Sequence, residues 1–493
     1  MTSSLITAAA DLDPGLIRRI AAGEGATIAP ALLAEVGRRC AAAREVLRRG
    51  DPVYGVNTGM GALAGVRLTE AEQLSHQHNL LLARATGGPP WLDTAEVRAI
   101  IAVRLRTFLA GDSGVSAGLC QRLAGLLDRG IVPAVPRTGV GSAGEIMPLA
   151  HAFGPLAGIG QVLAHPGGPT VPASEALRAR GLGEFSLGPR EGHALLAGVP
   201  GATALCLLRQ AEATALGSAM EAAAALSIAV ASASRDPYAD ACARGDDVLA
   251  GVLGRLRALV GDQPEPRALQ APVSFRVAGP VLAHVLRAGD ALAAAIGRAL
   301  DGVTDSPAFL DGRFMGTAGF HGIDLAAHCD FLTAALAHAA EVSAARLHRL
   351  LDTRVTGLPA QLAARPGSDA GLVAVHKRAA GEIHSLRRLA VPASVGLIET
   401  SGGQEDVQSF AWEATDTLRA ALYHARVVTA CELLAGYQAC SLSERAAPAG
   451  CQGLLTRLAE IVGPIAADRP FGQDIERILR AYDGLGLGQR WEV

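Results

Sequence analysis

The sequence predicts a mainly α-helical protein, and three features carry that prediction. Apolar residues recur at helix-like spacing over long stretches such as Pro30 to Arg49, where alanine and leucine are interleaved with arginine. Glycine and proline fall between these stretches as loop signals, while the period-two alternation that marks strands is sparse. Half of the 493 residues are hydrophobic and only 4% aromatic, with alanine and glycine abundant, so such helices can pack closely. Composition alone still permits many all-α folds.

A chain of this length supports one large domain or several ordinary ones, and burying a sizeable core is no difficulty. Only 18% of the residues are charged, which leaves much surface needing cover and favours a large homo-oligomeric interface. A net charge of −3 gives no electrostatic footprint for nucleic acid or an anionic membrane, so neither partner is expected. The eight cysteines are scattered and form no C-x-x-C pair. Free thiols in a reducing cytoplasm are expected, with neither disulfides nor a metal site. The N-terminus lacks the basic start of a signal peptide. The longest apolar stretch, around Ala219 to Ser234, is short for a membrane span and reads as a core helix. The expectation is a soluble, cytoplasmic protein.

In chain order, the first specific feature is V-Y-G-V-N-T-G-M-G from Val53 to Gly61, a glycine-rich turn that sets Tyr54 on a loop. H-Q-H-N-L-L-L-A-R-A-T-G-G from His76 to Gly88 follows, with Asn79 and Arg84. Val97 to Val115 reads as another helix, stopped by Gly111 and Ser113-Gly114. Val135 to His151 reads V-P-R-T-G-V-G-S-A-G-E-I-M-P-L-A-H, and Pro189 to Leu196 reads P-R-E-G-H-A-L-L. L-Q-A-P-V-S-F-R-V-A-G from Leu269 to Gly279 contains Arg276, whose planar fork suits a carboxylate. Beyond T-D-S-P at Thr304 and G-F-H-G at Gly319 comes Lys377, the one lysine among 44 basic residues. Arginine serves every other positive position, so a lone lysine points to a need for an amine, a compact donor suited to acid/base work. His376 beside it and His384 further along are additional candidates. V-P-A-S-V-G-L-I-E-T-S-G-G-Q-E-D-V-Q-S-F from Val391 to Phe410 carries Gln404 and Glu405, and A-D-R-P-F-G-Q-D-I-E closes the series at Glu476.

Together these motifs resemble the aromatic amino acid ammonia-lyases, the histidine ammonia-lyase family, from about residue 30 to about residue 480. In that family a Y-G-V-N-T-G-F-G loop supplies a catalytic acid/base tyrosine, which here is Tyr54. An Ala-Ser-Gly triad in a G-x-V-G-A-S-G-D-L-x-P-L context cyclises and dehydrates to the electrophile methylidene-imidazolone (MIO). The resemblance implies a smaller N-terminal domain over residues 1–190 bearing both loops, a long central helical bundle over 191–440, and a C-terminal helical segment over 441–493. It also implies a homotetramer with composite active sites, each drawing on three subunits. Asn79, Arg276, Gln404 and Glu405 match the family's Q-x-N-L, S-x-R and Q-E-D positions and are expected to bind substrate.

Departures from the family pattern decide the chemistry. The MIO slot holds Ser142-Ala143-Gly144, followed by Glu145. Gly144 offers the unhindered nitrogen that ring closure needs, but Ala143 has no hydroxyl to lose. Sliding the frame back puts Ala143 where the glycine belongs, and its Cβ crowds the closure. The expectation is a lyase scaffold with no MIO and no other cofactor. Ala83-Arg84 replaces a Ser-His pair, and an arginine there would want an anion or a bidentate polar group. Ala197, Ser306 and Gly319 stand in place of asparagines, Ala271 and Val273 in place of an aspartate and a tyrosine, and Val407 in place of a histidine. Without MIO, elimination needs a good leaving group, as in MIO-free relatives such as ergothionase, which release trimethylamine from a betaine. The expected reaction removes such a group from an amino-acid-like carboxylate. Tyr54 acts as base, Arg276 holds the carboxylate, Arg84 or Lys377 stabilises the acceptor end, and loop amides add donors. A cyclisation, isomerisation or hydration in the same pocket stays open as an alternative, as does a non-catalytic binding scaffold.

Overall fold

Helices dominate the computed structural model, which describes residues 2–261, 265–445 and 447–482. The strands among the described residues form three two-stranded pairs: Ser3–Ile6 parallel to Gly25–Ile28, and two short antiparallel hairpins, Gln161–Leu163 with Thr170–Pro172 and Ala308–Leu310 with Arg313–Met315. The mainly α expectation holds, and the predicted first long helix runs over Pro30–Arg48.

The helices that position the site start and stop where local chemistry directs. Glu70–Arg84 (α1) opens on Thr69, whose hydroxyl accepts from the Glu72 amide while the Glu72 carboxylate accepts from the Thr69 amide. Thr94–Ala110 (α2) opens on Asp93 in the same reciprocal arrangement and ends at Gly111, which takes the left-handed conformation at φ 90°. The helix is buried nearly all round, so its arginines must find partners inside. Arg98 donates to the carbonyls of Ile20, Glu24 and Leu127, and Arg106 to those of Ala9, Leu12 and Leu300. Apolar neighbours on the same helix, Leu105, Phe108 and Leu109, are buried and contribute about 1.5–3 kcal/mol each.

Further along lie Ile146–Phe153 (α3), Glu191–Leu196 (α4), Pro200–Ala231 (α5), Ala278–Asp301 (α6), Ile323–Leu350 (α7), Val373–Leu389 (α8) and Ala411–Leu442 (α9). The stretch Glu191–Ala231 is long and apolar enough to cross a membrane, yet 83% of its most apolar window is buried within the protein, as a core helix requires.

The chain forms two compact units, and neither is contiguous in sequence. The first comprises the chain up to Leu208, Ala293–Cys329 and Pro392–Asp416; the second comprises Arg209–Leu292, Asp330–Val391 and the chain from Thr417 onward. Segments ordered as 1–190, 191–440 and 441–493 therefore do not map onto these units. The divisions fall inside α5, α6, α7 and α9, so a single helix supplies residues to both. Within the second unit, Glu432 on α9 is buried and accepts from Ser227 on α5 and from Ser343 and Arg346 on α7. Breaking such a buried, fully bonded ion pair by removing one partner costs about 3–5 kcal/mol.

Candidate active site

The turn that carries Tyr54 is held by its own side chains. Asn57 is buried; its Oδ1 accepts from the Val53 amide and its Nδ2 donates to the Asp51 carbonyl, each at 2.7 Å. From α1, Gln77 Nε2 donates to the Gly55 carbonyl at 3.3 Å. Thus N-T-G is a staple for the turn, and Tyr54 is free to project. Its phenol oxygen accepts from the Gly61 amide at 2.8 Å.

The loop leading into α3 is held from two sides. Toward the interior, the Glu145 carboxylate accepts from the amides of Gly201 at 2.7 Å and Ala202 at 2.6 Å, at the N-terminus of α5. A helix start favours an anion there, but complete burial opposes it and pushes the Glu145 carboxyl up to about 7. Behind this wall, buried Arg104 pairs with Asp305 at 2.9 Å and also donates to the Ala197 carbonyl. On the other side, Glu405 accepts from the Ala143 amide at 2.9 Å and is itself held by the hydroxyls of Thr400 and Ser401. Gly144 lies between, at φ 92°, with the Ser142 hydroxyl donating to its carbonyl at 3.2 Å. Gly319, where the family pattern has asparagine, needs its lack of a side chain: a Cβ would sit 2.1 Å from the Val303 carbonyl oxygen.

A cavity of about 280 Å³ opens onto Tyr54, Ala143, Gly144, His193, Phe320, Gln404 and Glu405. A neighbouring hollow of about 440 Å³ shares Tyr54 and Glu405 and adds Arg84 and Ser142. Arg84 is half-buried, within electrostatic reach of Tyr54 and Glu405. Its guanidinium donates only to the Leu80 carbonyl and, at 4.0 Å, to Met60 Sδ, so it makes no ion pair among the described residues. Burial holds its pKa below the usual arginine value, partly offset by Tyr54 and Glu405.

The structure therefore brings together Tyr54, Arg84, Ser142, Ala143, Gly144, Gln404 and Glu405. Asn79 is exposed on α1 and lines neither hollow. Arg276, half-buried, and Lys377, exposed on α8, belong to the second unit. Two residues of the site carry roles that the motifs did not assign. Glu145 is the anchor of the loop, and His193 is a wall of the cavity. The signal for the second was present, since P-R-E-G-H-A-L-L carries histidine where the family pattern P-K-E-G-L-A-L has leucine.

The profile of the aromatic amino acid lyase family matches residues 12–460. A histidine ammonia-lyase from Anaeromyxobacter dehalogenans is 32% identical over 487 residues, covering 95% of this chain and 96% of that protein. The chain belongs to the aromatic amino acid lyase family. Among solved structures, tyrosine aminomutase from Streptomyces globisporus superposes with a TM-score of 0.91 at 26% identity, covering 98% of each chain. The ergothioneine-degrading enzyme ergothionase from Treponema denticola, in complex with desmethyl-ergothioneine sulfonic acid, shares the fold with a TM-score of 0.91 at 23% identity, covering 98% of this chain and 99% of that one. Lyases of this family are normally MIO-dependent, and this chain is an enzyme of the lyase type.

Proposed function

We propose that this enzyme is a MIO-independent lyase that expels a good leaving group, such as a quaternary amine, from an amino-acid-like carboxylate. The observation that carries the reading is Ala143. It places a methyl group where MIO formation needs a departing hydroxyl, and the Ser142 hydroxyl is engaged with the Gly144 carbonyl. The residues present do not fit MIO, whereas the acid/base tyrosine and its supporting turn are intact.

In this reading Tyr54, as phenolate, takes the β-proton, and the Gly61 amide supports the negative oxygen. The C–H electron pair becomes the new double bond, and the C–N pair departs with a neutral amine. Arg84 offers a half-buried cation, without an ion-pair partner among the described residues, to the substrate's anionic group. Arg276 as carboxylate anchor and Lys377 as acid/base partner complete the site from neighbouring copies in a homotetramer. Exposed apolar side chains at Leu63, Val395, Leu397 and Ile398, close in sequence to site residues, support an assembled state.

The test is ultraviolet absorbance during incubation with paired panels of α-amino acids and their N-trimethyl betaines, with an intact mass of the purified protein alongside. Olefin from betaines alone, with no waters lost from the mass, is the expected result. Olefin from ordinary amino acids, or a mass short of two waters, overturns the reading. Products isomeric with the substrate would instead favour an isomerase in the same pocket.

A further inference from the structure

A separate hollow of about 610 Å³ lies between the C-terminal half of the helix Pro30–Arg48 and the start of α1, within the first compact unit. It shares no lining residue with the two hollows at Tyr54. Three arginines face it, Arg44, Arg48 and Arg67, against one carboxylate, Glu70, and all four side chains are reached by solvent. The charge of Arg48 is met by Glu45 at 2.6 Å, outside the lining. Arg67 donates to neutral oxygens, the Gly50 carbonyl at 2.8 Å and Asn57 Oδ1 at 3.5 Å. Arg44 meets the Cys40 thiol of its own helix. Neither Arg44 nor Arg67 makes an ion pair among the described residues, so two positive charges are left facing one open space.

Like charges gathered in a concavity repel one another, and an anion placed between them turns that repulsion into attraction. The planar guanidinium fork fits phosphate oxygens in pairs. A phosphate monoester carries roughly −1.5 to −2 at neutral pH, close to the charge of Arg44 and Arg67 together. The hollow is larger than a phosphate ion needs and falls in the range of small-molecule sites, roughly 300–1,000 Å³. Leu47, Leu74 and Pro189 supply apolar surface beside the arginines for an organic body.

We propose that this hollow binds a phosphate monoester of a small organic molecule, with the phosphate on Arg44 and Arg67. The site borders the catalytic turn through Asn57, since the Asn57 oxygen that meets Arg67 also accepts from the Val53 amide. Nothing in the proposal depends on the lyase reading.

The test is calorimetric titration of the full-length protein at physiological ionic strength with AMP, glucose 6-phosphate, inorganic phosphate and sulfate. At least one of the two esters binds, and does so about tenfold or more tightly than inorganic phosphate. Arg44→Ala weakens that ester about tenfold, as expected for losing a hydrogen-bonded charge. Glu70→Gln, which removes the one opposing carboxylate of the lining, tightens it by about twofold or more. Both positions are exposed, so the variants are expected to fold as the wild type does. No binding of either ester at about 1 mM, an affinity that Arg44→Ala leaves unmoved, or a Glu70→Gln variant that binds more weakly overturns the proposal. Equal, weak binding of all four probes that disappears with added salt would mean an adventitious ion only, and overturns it as well.

Discussion

The two walls of the cavity are built on different principles. The inner wall, at Gly144 and His193, is backed by buried Glu145, Arg104 and Asp305, which are bonded to backbone amides, a carbonyl and opposite charge. The outer wall, around Tyr54, Gln404 and Glu405, is partly solvent-exposed, and the segment that leads to Gln404 and Glu405 carries exposed apolar side chains such as Val395, 76% exposed, and Leu397, 70% exposed. The inner side fixes the backbone of the loop, while the outer wall holds the groups proposed to meet substrate. Substitutions should therefore separate cleanly, the inner ones acting on stability and the outer ones on turnover.

The largest effect is expected at Tyr54. Its hydroxyl makes a single described hydrogen bond, to the Gly61 amide, and the residue is 37% exposed. Tyr54→Phe should lower kcat/KM on a reactive betaine by about 10²–10⁴, the range for losing a general base, while thermal melting and assembly stay unchanged. A fully active Tyr54→Phe enzyme would end the proposed mechanism, and a melting point several degrees lower would show that the outer wall also bears the fold.

The inner wall makes its own prediction through pH. Burial raises the Glu145 carboxyl from 4.5 to about 7 in the folded protein, so the folded state holds this proton more tightly than the unfolded chain. Its effect is absent below about pH 4.5, and stability is lost as pH climbs toward 7, by an amount on the order of 3 kcal/mol at most. Glu413 is shifted in the same direction to about 7, also chiefly by burial, and gives a parallel decline. Glu145→Gln mimics the protonated acid and removes one of the two contributions. Melting temperatures of variant and wild type should be close at pH 5, with the variant gaining on the wild type as pH rises to 8. A constant offset across that range would mean that Glu145 is ionised at all these pH values and that its amide contacts outweigh burial.

How far this division was legible in the sequence depends on the reach of each interaction. Tyr54, Ser142 to Gly144, and Gln404 with Glu405 sit in short motifs whose residues cooperate locally, as Asn57 does in holding the Tyr54 turn, and such motifs can be read in one pass. The stop at Gly111 is equally local, since only a residue tolerant of φ 90° closes α2 there. Glu145 is different: its partners are 56 and 57 residues away, at a helix start that the loop sequence does not mention. His193 stands out as a departure from the family pattern, but its neutrality comes from burial and from charges on Arg190 and Arg84, which only the folded chain assembles. The loss of asparagine at Gly319 likewise becomes intelligible once the Val303 carbonyl is seen to occupy the space. The compact units were not legible as consecutive segments, because α5, α6, α7 and α9 each contribute to both.

The smallest effect is expected at Glu405, and it tests the boundary between the walls. This carboxylate touches the loop once, at the Ala143 amide, and is otherwise held by Thr400 and Ser401 on its own segment. Because it is only partly buried, Glu405→Gln keeps an acceptor for the amide and should shift the melting temperature by no more than about 2 °C, in line with roughly 0.5–1.5 kcal/mol for one hydrogen bond in a large domain. It also removes the negative charge that shares the hollow with Arg84, leaving that guanidinium freer for an anionic substrate. KM for a betaine should therefore fall or hold while kcat drops by less than about tenfold, which steady-state kinetics resolves directly. A kcat loss as large as that of Tyr54→Phe would move Glu405 into the chemistry itself, and a large loss of stability would place the boundary between the walls on the far side of Ala143.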